Sequence, residues 1–155
     1  MRIELLFLGK TRESYLAAGI EDYLKRLSHY QKVEIQTVKE HRTKKGTPEK
    51  IIIEKESQAL LQKVKDSYLV CLDRTGKQLD SQELAAHLER WEVQGLKKIS
   101  FVIGGPLGLS AKILNKADLV LSLSRMTFTH EMSRMLLLEQ LYRACTINAE
   151  EKYHK

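Results

Sequence analysis

Ile99-Ser100-Phe101-Val102-Ile103 runs straight into Gly104-Gly105-Pro106-Leu107-Gly108-Leu109, and further on Leu119-Val120-Leu121-Ser122-Leu123 runs into Ser124-Arg125-Met126-Thr127-Phe128-Thr129-His130. Short apolar runs bounded by turn-forming residues are buried strands. A short amphipathic segment from Ser110 follows the first loop. A long helix-patterned segment carrying Arg134, Glu139, Tyr142 and Arg143 follows the second. The repeated order of strand, loop and helix predicts two strands that deliver their loops to one end of a sheet. In open α/β sheets, ligands bind at the carboxyl ends of the strands.

The upstream chain supplies the rest of that sheet. Ile3 to Leu8, closed by Gly9, reads as a buried first strand, and Leu16, Ile20, Tyr23, Leu24 and Leu27 recur at helical spacing over 13–29. Val33 to Val38 alternates apolar and polar, the pattern of a half-buried strand near a sheet edge. The basic stretch from Lys39 to Lys45 has almost nothing to bury. Thr47 is expected to cap the next helix with Pro48 at its first position, and Ile53, Leu60, Leu61 and Val64 form its core stripe. Tyr68 to Leu72 is a third strand ending in a polar turn, Asp73-Arg74-Thr75-Gly76-Lys77. A helix capped by Asp80 or Ser81 then carries Leu84, Leu88 and Trp91 and ends at Gly95. The order β-α-β-α-β-α-β-α-β-α predicts an α/β fold, a mostly parallel sheet with helices on both faces. The whole chain, 1–155, is read as one domain.

The last helix is apolar on two sides: Leu137, Leu138, Leu141 and Ala144 on one, and Met132, Met135, Leu136 and Tyr142 on another. Such a helix is buried twice, once against its own sheet and once against another surface, so a homodimer is expected.

Composition narrows the function. A charge of +6 suggests a polyanionic partner without requiring one. The two cysteines, Cys71 and Cys145, sit in separate apolar segments and read as reduced core thiols, not as a disulfide or metal site. No window approaches a membrane span, and the acidic Glu4 interrupts any signal-like start, so a cytoplasmic protein with no membrane association is expected.

Gly104 to Gly108 is neither a dinucleotide fingerprint nor a P-loop. Paired glycines allow the backbone to approach a ligand closely, and the absence of lysine or arginine in the loop favours a neutral, adenosine-like group over a phosphate. The glycines alone favour a tight strand-to-helix turn in which Ser110 caps the helix. Glu139 and Arg143 are spaced as an i,i+4 pair within an otherwise apolar helix, where buried charge without a function would be costly. By pattern alone, the terminal Glu150 to Lys155 reads as a frayed tail.

Taken together, Phe-Val-Ile-Gly-Gly-Pro-x-Gly-Leu over 101–109, Leu-Ser-x-Ser-x-Met-Thr-Phe-x-His over 121–130, Leu-Leu-Glu-Gln-Leu-Tyr-Arg-Ala over 137–144 and the terminal Tyr-His-Lys closely resemble the bacterial ribosomal large-subunit pseudouridine N3-methyltransferases of the SPOUT superfamily. The resemblance spans essentially the whole chain. It implies a C-terminal deep trefoil knot, S-adenosyl-L-methionine bound in the knot without a metal, and an active site shared by two subunits. The implied substrate is a pseudouridine in large-subunit rRNA within an assembled ribosome. The family's cofactor contacts fall on Leu72, Gly104, Leu123, Ser124, Arg125, Met126, Thr127 and Phe128. The weakly acidic N3 proton makes nucleophile activation the difficult step. This makes Arg143 and Arg134 candidates for electrostatic stabilisation or RNA positioning, His154 the candidate base and Tyr153 a candidate stacking partner. The lysines of the 39–45 loop and of the tail would meet phosphates. The sequence departs from the family pattern at Thr129, where proline usually precedes the histidine, and at Glu150, where a small residue or glycine is common. The competing readings are a non-enzymatic RNA-binding or ribosome-assembly factor, and a SPOUT methyltransferase with another RNA target.

Overall fold

The computed structural model describes residues 1–154. Five strands, β1 (Arg2–Leu8), β2 (Lys32–Val38), β3 (Tyr68–Gln78), β4 (Lys98–Ile103) and β5 (Leu119–Ser122), form one sheet in the order β2-β1-β4-β3-β5. Every pairing is parallel. The helices are α1 (Ser14–Leu27), α2 (Glu49–Lys63), α3 (Ser81–Val93), α4 (Ala111–Leu114) and α5 (His130–Asn148), with a final 3₁₀ turn at Lys152–His154.

The apolar runs are continuous because both faces of the sheet are covered. On one face Ile3, Leu5, Phe7, Ile99, Phe101 and Val70 pack against α1, α3 and α5 through Leu27, Leu84, Trp91, Leu137 and Leu141. On the other, Leu6, Leu8, Val102, Leu69 and Cys71 pack against α2 and α4 through Leu60, Leu109 and Ile113. β2 is an edge strand, as its alternating pattern implied. Cys71 and Cys145 are both buried free thiols. No described helix is long and apolar enough to cross a membrane.

Three local expectations need correction. Asp73 to Lys77 is not a turn that ends β3. The strand continues to Gln78, with Leu72 and Lys77 both paired to Leu121, so the residues between them bulge away from the ladder. Thr47 does not cap α2. Pro48 is the N-cap, while the Thr47 hydroxyl donates to the Lys44 carbonyl. The buried face of α2 is Glu56, Ser57 and Leu60, with Ile53 only partly covered. Ser57 is polar for a local reason: its Oγ accepts the Ser110 backbone N–H at 2.8 Å, tying α2 to the segment that follows the glycine loop.

At α3 the capping box is complete. Asp80 accepts from the Glu83 N–H, and the Glu83 carboxylate accepts from the Asp80 N–H. Thr129 caps α5 by accepting the Met132 N–H at 3.2 Å, so a residue unusual for the resembled family performs an ordinary capping role. The chain leaves α5 through a Schellman turn, in which the Glu151 N–H reaches the Thr146 carbonyl and the Glu150 N–H reaches Ile147. Glu150 itself takes φ 57°, the left-handed conformation that explains the preference for glycine there.

Candidate active site

The bulge in the middle of β3 and the carboxyl ends of β4 and β5 enclose a cavity of about 710 Å³, within the range of small-molecule sites. From β3 come Leu72, Asp73 and Arg74; from β4, Gly104 through Gly108; from β5, Leu123, Ser124, Met126, Thr127 and Phe128; and from the start of α5, His130 and Ser133.

Each loop is held by its own short-range bonds. The Thr75 N–H and hydroxyl both donate to Asp73 Oδ1, which closes the bulge in β3. A Cβ at Gly76 would lie 2.6 Å from the Val120 carbonyl oxygen, so only glycine lets this bulge lie against the backbone of β5. The Gly108 N–H donates to the Gly105 carbonyl across Pro106 and Leu107, and Gly108 has φ +83°. At Gly104 a Cβ would sit 2.6 Å from the Gly108 carbonyl oxygen, so the loop folds back on itself too tightly for any side chain. In the β5 loop the Ser122 hydroxyl donates to the Ser124 carbonyl, and Ser124 Oγ accepts the Met126 N–H, each at 3.0 Å.

The lining combines apolar side chains with backbone polar groups, and the glycine loop adds no cation. Backbone polar groups among apolar side chains suit a neutral nucleoside, and Asp73 offsets the charge of Arg74 in the lining, so the residues present fit S-adenosylmethionine. Met126, 74% exposed, and Phe128 stand at the mouth as large apolar groups without cover. Burial, with Arg134 adding, pulls the His130 imidazole below its ordinary value. Among the described residues no three His, Cys, Asp or Glu side chains are placed to hold a metal ion.

Of the expected cofactor residues, Leu72, Gly104, Leu123, Ser124, Met126, Thr127 and Phe128 all line this cavity, while Arg125 is exposed on the same turn outside the lining. Arg134 is fully buried. Its guanidinium donates to the Leu8 carbonyl and to Thr11 Oγ1, and it lies 4.9 Å from the Phe7 ring centroid. Beside it, the Glu131 carboxylate accepts the backbone N–H groups of Arg12 and Glu13. The two side chains clamp the β1–α1 loop behind the cavity.

Arg143, Tyr153 and His154 lie elsewhere. Arg143 lies a further ten residues along the same continuous helix from Ser133 of the lining, which places it roughly 15 Å from the cavity of its own chain. There the Arg143 guanidinium donates twice to Glu139 Oε1 and lies 4.8 Å from the Tyr153 ring centroid. The Tyr153 hydroxyl donates to Glu139 Oε1 at 3.2 Å, and its ring packs edge-on against Tyr142. Burial, then contact with Tyr23 and Glu139, raises the Tyr153 hydroxyl far above its ordinary value. The tail is therefore anchored through Tyr153 where its composition suggested fraying. His154 is exposed, and Lys155 lies outside the described residues.

Residues 1–154 match the family model described as "Predicted SPOUT methyltransferase". The chain belongs to this family. Its members include proteins named "Ribosomal RNA large subunit methyltransferase H", to which the chain is similar over its entire length. It is 51% identical to that of Desulfotalea psychrophila and 45% identical to that of Halothermothrix orenii, in each case over 100% of both chains. Among solved structures it resembles a tRNA (m1G37) methyltransferase from Aquifex aeolicus. The TM-score is 0.55 at 15% identity, covering 92% of this chain and 69% of that one. TrmJ from Z. mobilis ZM4 gives a TM-score of 0.51 at 12% identity, covering 92% of this chain and 69% of that one, and both likenesses are of fold alone. The SPOUT assignment agrees with the motifs at 101–109, 121–130 and 137–144.

Two features of the site are missing from the sequence reading. Asp73 and Arg74 line the cavity because β3 bulges, which a polar pentapeptide does not signal. His130 lines it too, and the only sequence cue is its place at the end of the second loop motif.

Proposed function

We propose that this chain methylates N3 of a pseudouridine in large-subunit rRNA, taking the methyl group from S-adenosyl-L-methionine held in the three-loop cavity. The observation that carries this reading is the full-length similarity, at 51% identity, to a protein named as a ribosomal RNA large subunit methyltransferase, together with a cavity lined by the expected loops. When bound, S-adenosylmethionine supplies an already activated methyl electrophile, so no metal is needed. Leu72, Gly104 and Leu123 through Phe128 hold the adenosine, with Arg125 reaching the rim. The chain acts as one catalytic domain in the cytoplasm, where ribosomes are found.

The proposal includes a homodimer. Arg143 stands about 15 Å from its own cavity with Tyr153 beside it, so Arg143, Tyr153 and His154 serve the reaction by completing the cavity of a second copy. The partly covered Met132, Met135 and Leu136 supply apolar contact surface on α5. In the composite site Arg143 stabilises the anion that develops on the pyrimidine, His154 accepts the N3 proton and Tyr153 stacks on the base. Arg134 acts from behind, positioning the β1–α1 loop. Lysines of the 39–45 loop and of the tail meet phosphates. The C-terminal part is threaded as a trefoil knot, a reading that rests on the SPOUT family match.

Calorimetric titration with S-adenosylmethionine, with NADH and ATP as controls, tests the cofactor. Selective saturable binding is expected. Transfer of labelled methyl to assembled large subunits, and not to free tRNA, tests the substrate. Sedimentation as a monomer at assay concentration would remove the shared site. An H154A variant with full single-turnover rate would remove the histidine base.

A further inference from the structure

A second cavity of about 300 Å³ lies on the other side of the glycine loop. Pro106, Leu107 and His130 line both cavities, so the two are neighbours across one wall. Charged and titratable groups from several elements face the smaller one: Arg12, Glu40, His41, Glu56, His130 and Glu131. Of the carboxylates, those of Glu40 and Glu131 are already engaged. Glu40 pairs with Arg12 at 3.1 Å, and the Glu131 carboxylate accepts two backbone N–H groups.

Glu56 is the exception. It projects from the buried face of α2, is 8% exposed, and its Oε2 has no hydrogen-bond partner. Burial, with Glu40 adding, holds its carboxyl above the usual carboxylate range. A side chain at position 105 would come within 2.9 Å of Leu8 Cδ2 and 3.3 Å of Glu56 Oε2, so the glycine is what lets the loop rest directly on this carboxylate. A buried acid with a free oxygen costs stability unless a cation or donor reaches it. The cavity has room for a compact cationic head group.

We propose that Glu56 and this cavity receive a primary ammonium group, the α-ammonium at the amino-acid end of the cofactor whose adenosine occupies the larger cavity. The inference rests on the cofactor reading above. The amino-acid end passes Leu107 and His130, and the ammonium donates to the free Oε2 of Glu56. Glu56 is then a binding residue that distinguishes S-adenosyl amino acids from plain adenosine derivatives.

The test is a cycle of ligand and side-chain truncations. S-adenosylmethionine, S-adenosylhomocysteine, 5′-methylthioadenosine (which lacks the amino-acid end) and spermidine are titrated into the wild-type protein and the E56Q variant. The expected result is about a tenfold loss of affinity for the first two ligands in E56Q, with methylthioadenosine changed by less than about twofold. Methylthioadenosine binding, with a melting temperature at or above wild type, shows that the variant is folded. Equal losses for all three adenosyl ligands, or no loss for any, would overturn the assignment while leaving the cofactor reading intact. Spermidine binding that depends on Glu56, with S-adenosylmethionine unaffected, would overturn it in favour of a free polyamine site. Failure of all three adenosyl ligands to bind wild type would overturn the cofactor reading and this one with it.

Discussion

Replacing Arg134 with methionine separates a role in holding the β1–α1 loop from a role at the reacting atoms. The side chain is fully buried and donates to the Leu8 carbonyl and to Thr11, so R134M removes two hydrogen bonds from a charged donor. Each is worth about 1.5–3 kcal/mol, or roughly 3–6 kcal/mol together. Opposing this, the guanidinium Nε is buried without a partner, and burial lowers the group's pKa. Relief of that penalty returns about 1–3 kcal/mol, and methionine keeps much of the packing against Phe7. The expected net loss is about 2–3 kcal/mol. For a chain of this size that lowers the melting temperature by roughly 4–12 °C. It moves the urea midpoint by about 1–1.5 M, taking a slope of about 2 kcal/mol/M. Methyl transfer below the transition should fall only as far as loop order falls, and the loss should be partly recovered at lower temperature. A variant within about 0.5 kcal/mol of wild type that nevertheless lost methyl transfer at every temperature would refute the clamp reasoning and place the guanidinium at the reaction itself.

Further outcomes follow from other parts of the molecule. Burial pushes the Cys71 thiol up to about 12 and the Cys145 thiol up to about 11, from an ordinary value of 9.0. Their contribution to stability is complete below pH 9 and is lost as pH rises toward the folded values. Unfolding free energy should fall by about 1.4 kcal/mol per pH unit per thiol over that window, and C145A should roughly halve the slope in urea titrations near pH 9.5. Glu150 holds a left-handed conformation in the turn that closes α5, so E150G should stabilise the chain by about 1 kcal/mol, read as a higher melting temperature. Lys44 and Lys45 lie exposed beyond the edge strand. If they meet phosphates, alanine at both should reduce the salt dependence of RNA affinity by roughly 1.5 in the log–log slope, leaving S-adenosylmethionine affinity unchanged.

What the sequence disclosed depended on whether a residue's surroundings were local. The apolar runs of β1, β4 and β5 were legible because a strand covered on both faces needs no polar position, and Asp80 with Glu83 formed a cap from contiguous residues. The β3 bulge was not legible. Asp73 to Lys77 looks like a turn by composition, and only the backbone of β5 closing on Gly76 makes it part of a strand and of the cavity wall. The core stripe of α2 was only partly legible for the same reason, since Leu60, Leu61 and Val64 do pack into the core but share the inward face with polar residues. Glu56 and Ser57 sit on the inward face that periodicity reserves for apolar groups, and what occupies them lies far along the chain: Gly105 for one, the Ser110 N–H for the other. The tail offers no period at all, yet Tyr153 is fixed by Tyr142, Arg143 and Glu139, none of which the terminal residues could announce.

The strand order also bears on how the chain comes into being. β1 lies between β2 and β4, and Arg2 pairs on one side with Lys32 and on the other with Lys98. During synthesis the first strand emerges early, gains one neighbour soon after, and then waits with its second edge bare until most of the polypeptide has left the ribosome. At about 5–20 residues per second that interval is roughly 3–13 s. Parallel pairing across such long separations is slow to form and prone to wrong association in the meantime. The nascent protein should therefore depend on holdase chaperones until β4 has emerged, and a ribosome-stalled chain that stops short of β4 should bind them where the full-length chain does not.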